Sequence, residues 1–420
     1  MILNRIWISF FVIAFIVALI KVTLFLFGHP EYGGLDVFPA MVNATYTSSR
    51  AAAEVAIGLT GAITLWMGLM KIGEKAGVIG FLSKLVGPVF SKLFPGIPKD
   101  HPAHGQIMMN FSANMLGIGN AATPLGLKAM ESMQEINPEK EKASNAQIMF
   151  LVMNTAGFTL IPVTIMALRA EWQAKQGLPV DPTDVFVPIL IASYCALVAG
   201  VAFTAIRQHI LDQKLGIILL AASAFIGSIV YGFAVASPES RQHISSIAGN
   251  MLLFGVIVTF LLTAAVKKVN VYEAFIEGAK EGFNTVIKII PYLVGMLVGI
   301  GVFRACGALD YLTTGIAWCF YHLGVNTDFV DSLPVAFMKP LSGGGTQGIT
   351  VDILKNAGAN SFTGRLSSII YASADTTFYI VALYFGSVGI KRTRYAVTAG
   401  LVADLAGIVA GILVAYLFFH

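Results

Sequence analysis

The feature that most constrains this chain is a succession of apolar blocks, each long enough to cross a lipid bilayer. They run over roughly 6–27, 51–70, 145–168, 185–206, 216–236, 247–266, 289–304, 366–388 and 395–419. A membrane-spanning helix needs about 20 mostly apolar residues, and backbone in lipid must satisfy its own hydrogen bonds. Charged residues make up 12% of the chain, half of the about 25% usual in soluble domains. The expected fold class is therefore all-α, a polytopic integral membrane protein. A net charge of +4 over 420 residues leaves no basic stripe and excludes nucleic acid as a partner. The apolar content excludes disorder. The three cysteines, Cys195, Cys306 and Cys319, lie in or beside apolar segments without metal-ligand spacing and read as small core residues.

Basic residues give the sidedness. They crowd 71–99, 128–142, 207–214, 267–288 and 391–394, which share one side if the N-terminus is cytoplasmic. The opposite side then receives 28–50, 169–184, 237–246 and 305–335. The last has no Lys or Arg and holds Asp310, Asp328 and Asp331. Lys355 and Arg365 are exceptions. The first block lacks a small-residue cleavage pattern before Gly28 and reads as a retained anchor, with Lys21 near enough to an end to snorkel. The expected location is the cell inner (plasma) membrane, multi-pass.

The two halves resemble each other. At an offset of 230, Gly77 meets Gly307, Phe81 meets Tyr311, Phe90 meets Phe320 and Ser112 meets Ser342. At 221, Asn154 meets Asp375 and Thr155 meets Thr376. Corresponding segments point in opposite directions under the charge assignment, the pattern of inverted-repeat transporters. The expected units are a first repeat over 1–210, a linking transmembrane hairpin over 211–268 and a second repeat over 269–420. The linking spans are either an extra hairpin, or a spacer followed by the partner of 6–27. Lys71 to Phe94 is amphipathic and predicts a helix on the inner surface. Tyr272 to Lys288 reads as its mirror, leading into a span that starts at Pro291.

Two glycine-rich polar segments, Asn110–Pro124 and Lys339–Asp352, occupy the same place in each half. Three consecutive glycines and a proline would cripple a lipid-exposed helix. The segments are either re-entrant hairpins, one from each side, or plain loops outside the membrane. As hairpins they would offer a solute unwound carbonyls, hydroxyls and helix N-termini. Polar residues also interrupt two spans: Asn154 and Thr155 in one, Asp375, Thr376 and Thr377 in the other. An aspartate at a helix centre costs about 2.5–3.5 kcal/mol on insertion scales. Asp375 therefore needs a partner, a proton or a cavity. It is either functional or a structural carboxylate held by Lys339 or Arg304. Asp404 and Glu54 are further acids inside spans, and Asn154 and Thr155 could equally join helices.

No Gly-x-x-x-x-Gly-Lys-Ser/Thr loop and no His-Glu-x-x-His is present. His101 and His104 lie in a Pro-rich loop and make no expected metal site. No histidine stands near Ser342 to serve as a base, so the chain is not expected to be an enzyme.

Asn114–Met130, with Met153-Asn154-Thr155 and Leu160-Ile-Pro-Val-Thr164, resembles the spore maturation protein A family. Lys339–Gly345 and Ala374–Tyr395 resemble the spore maturation protein B family. The likeness covers about 1–205 and 270–420, and both on one chain implies a fusion. These families are grouped with the nucleoside-recognition, or Gate, domain. That domain also occurs in concentrative nucleoside transporters and in the membrane part of the ferrous-iron transporter. The chain departs from the pattern at Thr346-Gln347 after Gly345, and at Ala156, where a second hydroxyl is common.

The resemblance implies two inverted Gate-type repeats with re-entrant hairpins. The expected function is secondary transport of a small polar solute near the midplane. Asn110, Ser112, Asn114, Asn120 and Thr123 would serve from the first hairpin; Ser342, Gly343, Gly344, Thr346 and Gln347 from the second. Asn154, Thr155, Asp375, Thr376 and Thr377 would close the site. No cofactor is expected beyond a coupling H+ or Na+, carried at Asp375. The expected partners are the solute and the lipid bilayer, with a homo-oligomer left open. The alternatives are a metal-ion permease like the ferrous-iron transporter's membrane region, or a non-transport membrane subunit in envelope or spore maturation.

Overall fold

The computed structural model describes residues 2–29, 34–98, 100–117 and 119–420, and their side chains except those of 2–4, 86, 88, 119–121, 238, 239 and 242. The described residues are helical, with one isolated β-bridge, Lys142 to Arg392. Eight of the helical stretches are long and apolar enough to cross a membrane.

The first half runs α1 (Ile2–Leu26), α2 (Val37–Lys75), α3 (Val78–Leu93), α4 (Pro102–Met115), α5 (Gly119–Glu135), α6 (Asn145–Ala156), α7 (Val163–Lys175) and α8 (Phe186–Arg207). Then come α9 (Gln213–Val235) and α10 (Pro238–Val266). The second half runs α11 (Val271–Ala305), α12 (Ala308–His322), a 3-10 turn at Val330–Ser332, α13 (Leu333–Met338), α14 (Gly343–Asn356), α15 (Phe362–Ala372), α16 (Thr377–Ser387) and α17 (Ala396–Phe419). The order repeats: α2 to α8 has the same succession as α11 to α17. In each, a long helix is followed by a short one, a helical hairpin, a broken helix and a last straight helix.

Two counterpart pairs, α2 with α11 and α8 with α17, pack on each other and run in opposite directions. The most extensive pair is α2 with α11. Gly68 meets Phe275, Gly282 meets Thr64, and Gly301 meets Ser48, so rising numbers on one helix meet falling numbers on the other. Gly282 is forced by this approach, since a Cβ there would lie 2.9 Å from the Thr64 backbone. Small residues let helix backbones close up where lipid offers no hydrophobic drive between helices. Lys71 ends the seam, with Glu74, Glu277 and Glu281 at 3.3, 3.4 and 3.3 Å. The pair α8 and α17 is built the same way, with Gly200 on Ala403, Gly407 on Ala196 and Gly411 near Ala192.

The flanking helices obey the same exchange. Helix α1 lies on α11, where Trp7 donates its indole N–H to the Gly295 carbonyl at 2.8 Å. Helix α10 lies on α2, with Phe260 against Gly73. Lys21 reaches Gly307 at the C-terminal end of α11, and Lys267 reaches Gly77 at that of α2. Both glycines begin the next helix at positive φ, +83° and +73°. A cation at a helix C-terminus is favourable. Packing thus pairs α10 with α1 and leaves α9 as the spacer, buried only at Leu215 and Phe233.

Three sequence expectations change. The amphipathic stretch from Lys71 is cut at Gly77, so Lys71 and Lys75 belong to α2 and only Val78–Leu93 forms the short helix. Tyr272 to Lys288 is no surface helix but the first part of α11, which continues through Pro291. Its charges pair along the α2 seam, so it stays packed, and the counterpart of α3 is α12. The two long helices extend beyond the apolar blocks: at 1.5 Å per residue the 39 residues of α2 measure about 58 Å, against a hydrocarbon layer of about 30 Å.

Candidate functional site

Both broken helices come apart at the centre of the molecule, each for a local reason. Helix α6 ends at Gly157, which takes φ +57°, and Pro162 precedes α7. Proline biases the residue before it away from helix, so 157–162 stays irregular. Helix α15 ends at Ala372, and Thr376 precedes α16. Each break is tied to the hairpin of its own half. Leu160 N–H donates to the Met115 carbonyl at 2.6 Å, and Phe378 N–H donates to the Pro340 carbonyl at 3.0 Å. The breaks are also tied to each other, since Asp375 N–H donates to the Thr155 carbonyl at 2.7 Å. Freed backbone groups thus find partners in a neighbouring element, the condition for irregular chain at membrane depth.

These junctions line an open cavity of about 240 Å³. Asn114 and Gly117 reach it from the first hairpin, and Gly157 and Thr159 from the first break. Lys339 and Gly343 reach it from the second hairpin, and Asp375 and Thr376 from the second break. The first turn of α7, Val163 to Ile165, completes one wall. Helix N-termini carry partial positive charge and free N–H groups, and those of α7 and α14 lie at this wall. The Lys339 side chain is buried, donates to the Tyr371 carbonyl and stands 5.0 Å over the Tyr371 ring. The Asp375 side chain is open to the cavity, with Oδ1 accepting from Thr376 N–H at 2.7 Å. Arg304 pairs instead with Asp352, at 2.5 Å.

Of the residues expected from the sequence, Asn114, Gly343, Asp375 and Thr376 line the cavity. Asn154 stands directly behind, accepting from Asn114 Nδ2 at 2.8 Å and from the Tyr384 hydroxyl at 3.3 Å. Asn110 is fully buried and donates to the Ala122 carbonyl at 2.8 Å, closing the first hairpin on itself. Thr155 and Thr377 are buried, and Thr377 donates to Asp404 at 2.6 Å. The others serve packing and caps. Ser112 meets Ser83 at 3.4 Å, Thr346 donates to the Ser342 carbonyl at 2.7 Å, and Gln347 is buried in α14. Thr123 is half-buried on α5 away from the cavity lining. The side chain of Asn120 lies outside the described residues.

The glycine triplet is not unwound: Gly343 to Gly345 form the first turn of α14. Ser342 caps that turn, its hydroxyl accepting from Gly345 N–H at 3.0 Å. Gly344 packs on Tyr292, where a Cβ would lie 3.1 Å from the tyrosine Cβ. The triplet therefore brings a helix end close to its neighbours. Lys339, Asp404 and Tyr384 complete the polar centre. In the sequence Lys339 is a candidate partner of Asp375 and Asp404 an acid inside a span, while Tyr384 carries no signal.

Fold and site define a multi-pass α-helical membrane protein of two like halves, with a small polar cavity between broken helices. Comparison with known proteins gives the family. Residues 56–172 match the Gate model, described as nucleoside recognition. Spore maturation protein A of Bacillus subtilis (strain 168) is 38% identical over 206 residues, 49% of this chain and 94% of that protein. Spore maturation protein B of the same organism is 45% identical over 164 residues, 39% of this chain and 90% of that protein. The two matches fall on different parts of the chain. The chain belongs to the spore maturation protein A and B family and carries an A-type and a B-type unit in one polypeptide.

Proposed function

We propose that this protein is a secondary carrier for a small polar solute, held in the cavity between the two broken helices. One observation carries the reading: a lysine, an aspartate and two helix N-termini converge on one open cavity where the halves meet. Lys339 and the helix ends suit an anionic group, and Asp375 suits a cationic or donor group. At about 240 Å³ the space lies below the roughly 300–1,000 Å³ typical of drug-sized ligands, so the solute is a small metabolite. Opposed halves around a central site are the architecture on which alternating exposure works.

In this reading the first repeat covers 1–210, the linker 211–268 and the second repeat 269–420. The N-terminus faces the cytoplasm and the membrane is the inner (plasma) membrane, as the lysine and arginine distribution supports. The relatives are named for spore maturation, and moving a solute is one way for a membrane protein to serve such a process.

The test begins with thermal-shift screening of the purified chain against amino acids, dicarboxylates and nucleosides. Uptake of each stabilising solute into proteoliposomes follows. Asp375→Asn is expected to lower uptake about tenfold or more, equivalent to about 1.4 kcal/mol, with a melting temperature close to the parent's. Unchanged uptake in Asp375→Asn would reject the site, and no stabilisation by any solute would reject the carrier reading.

A further inference from the structure

A second cavity lies on the other side of the first break. It measures about 360 Å³ and sits between α3, α4, α8, α9 and the end of α6. Its lining is apolar, with Leu93, Phe111, Met153 and Leu197 among the side chains. The Tyr194 ring also lines it, but the tyrosine hydroxyl is engaged with that of Ser223 on α9, at 3.1 Å. The space exists because α9 stands off the bundle and is buried only at Leu215 and Phe233. A single stretch of chain separates it from the polar cavity. Asn114 and Gly157 line the polar one, and their chain neighbours Met115 and Phe158 line the apolar one.

The surroundings narrow what can fill it. Water gains nothing in a space without polar partners, and such cavities stay dry. Leu85 lines this one and is 69% exposed, so the space opens to the outside of the bundle. The helix beside the opening, α9, is apolar and long enough to span a membrane, so that outside is hydrocarbon. The occupant is therefore an acyl chain. Charge selects the headgroup. Lys92 lies in the last turn of α3, three residues from Val89 and seven from Leu85; Lys214 lies in the first turn of α9, four residues from Ile218. These spacings put each lysine at the edge of the face that lines the cavity. Neither makes an ion pair among the described residues. Both belong to stretches that the basic-residue distribution assigns to one side of the membrane. Free cations beside an apolar slot match an anionic lipid.

We infer that this cavity is a binding site for an anionic phospholipid, with one acyl chain in the slot and the phosphate held by Lys92 and Lys214. The chain packs on Met115 and Phe158. The Met115 carbonyl accepts from Leu160 N–H, the bond that ties the first break to its hairpin. The lipid therefore braces the wall that carries Asn114 and Gly157. The site goes beyond the carrier reading and stands without it, since the slot takes lipid whatever the polar cavity takes.

The test reads lipid binding without solute or transport, so it and the carrier reading fail separately. The purified full chain in neutral detergent is titrated at low salt with phosphatidylglycerol or with phosphatidylcholine of the same acyl chains, and melting temperature is followed. A saturable rise is expected with both, half-saturating at an about tenfold or more lower concentration of phosphatidylglycerol. Lys92→Gln with Lys214→Gln erases that preference. Ala222→Trp, which puts an indole into the slot from α9, abolishes saturation by either lipid. Equal half-saturation by the two lipids, or a parent-like titration in Ala222→Trp, overturns the site. A changed oligomeric state in Ala222→Trp, with no lipid-specific rise in the parent, overturns it in favour of a second copy of the chain. Should Ala222→Trp fail to fold, the double lysine variant decides alone: a retained preference rejects the site.

Discussion

Gly157 shows how much one residue decides here. It takes φ +57°, and a Cβ on it would lie 2.7 Å from the backbone nitrogen of Asp375. Left-handed backbone and close approach coincide, so no other residue fits both. Gly157→Ala is expected to cost about 1–3 kcal/mol and to push the two breaks apart. Both a lower melting temperature and weaker solute-induced stabilisation should appear in a thermal-shift series. Full retention of both would show that the breaks tolerate separation. Other site residues differ in how far the sequence disclosed them. Asp375 stood out because a carboxylate inside an apolar run demands a reason. Asn114 and Thr376 were legible from their polar, glycine-rich surroundings. Lys339 was legible only as a candidate partner of Asp375, and Tyr384 looked like one more aromatic in a span. Only the fold brings the Tyr384 hydroxyl to 3.3 Å from Asn154.

At the scale of elements, hydropathy located the membrane-crossing stretches but not their ends or their partners. Periodicity reports burial, and the polar ends of α2 and α11 are helical because they pair with each other through Lys71, Glu277 and Glu281. No local signal encodes that pairing. The loops are governed in the same way. Asp181, in the link between α7 and α8, accepts from Thr183 Oγ1 and Ser246 Oγ, both at 2.6 Å, and so ties this link to α10. Burial raises its carboxyl, but the hydrogen bonds from Ser246 and Thr183 outweigh that and hold it below the ordinary aspartate value. A folded-state value below the unfolded one means a contribution fully present above about pH 3.9 and lost as pH falls through the folded value. Asp181→Asn should therefore lower stability at neutral pH and flatten the acid limb of a melting-temperature profile. An acid limb identical to the parent's would show that the link does not depend on this carboxylate.

Across the whole molecule, the halves are clasped at both ends of the α6–α7 run. At one end Lys391 and Arg392 N–H groups donate to the Glu141 carbonyl, both at 2.9 Å, and Ala143 N–H donates to the Arg392 carbonyl at 3.0 Å. At the other, Arg169 is fully buried, with Asp184 at 2.7 Å and the Ala359 carbonyl at 2.7 Å, while Arg365 holds the second Asp184 oxygen at 2.8 Å. The two clasps differ in kind. The first is exposed, and an exposed ion pair such as Lys391 with Glu141 contributes little. The second is buried, where removing one partner of a charge pair costs about 3–5 kcal/mol. If the halves move against each other during transport, the weakly held clasp is the one that opens, and the buried one acts as the hinge. Lys142 and Arg392 are partners in the β-bridge of the first clasp, and neighbouring strands lie about 5 Å apart, within the Cα range of a disulfide. With Cys195, Cys306 and Cys319 replaced by serine or alanine, Lys142→Cys with Arg392→Cys should form a disulfide under oxidation. Solute uptake should then fall about tenfold or more and return on reduction, since a closed clasp raises the opening step by at least about 1.4 kcal/mol. Uptake that survives the oxidised cross-link, verified by a gel shift after cleavage between the halves, would show that this end stays closed throughout the cycle. The moving joint would then be the arginine–aspartate end.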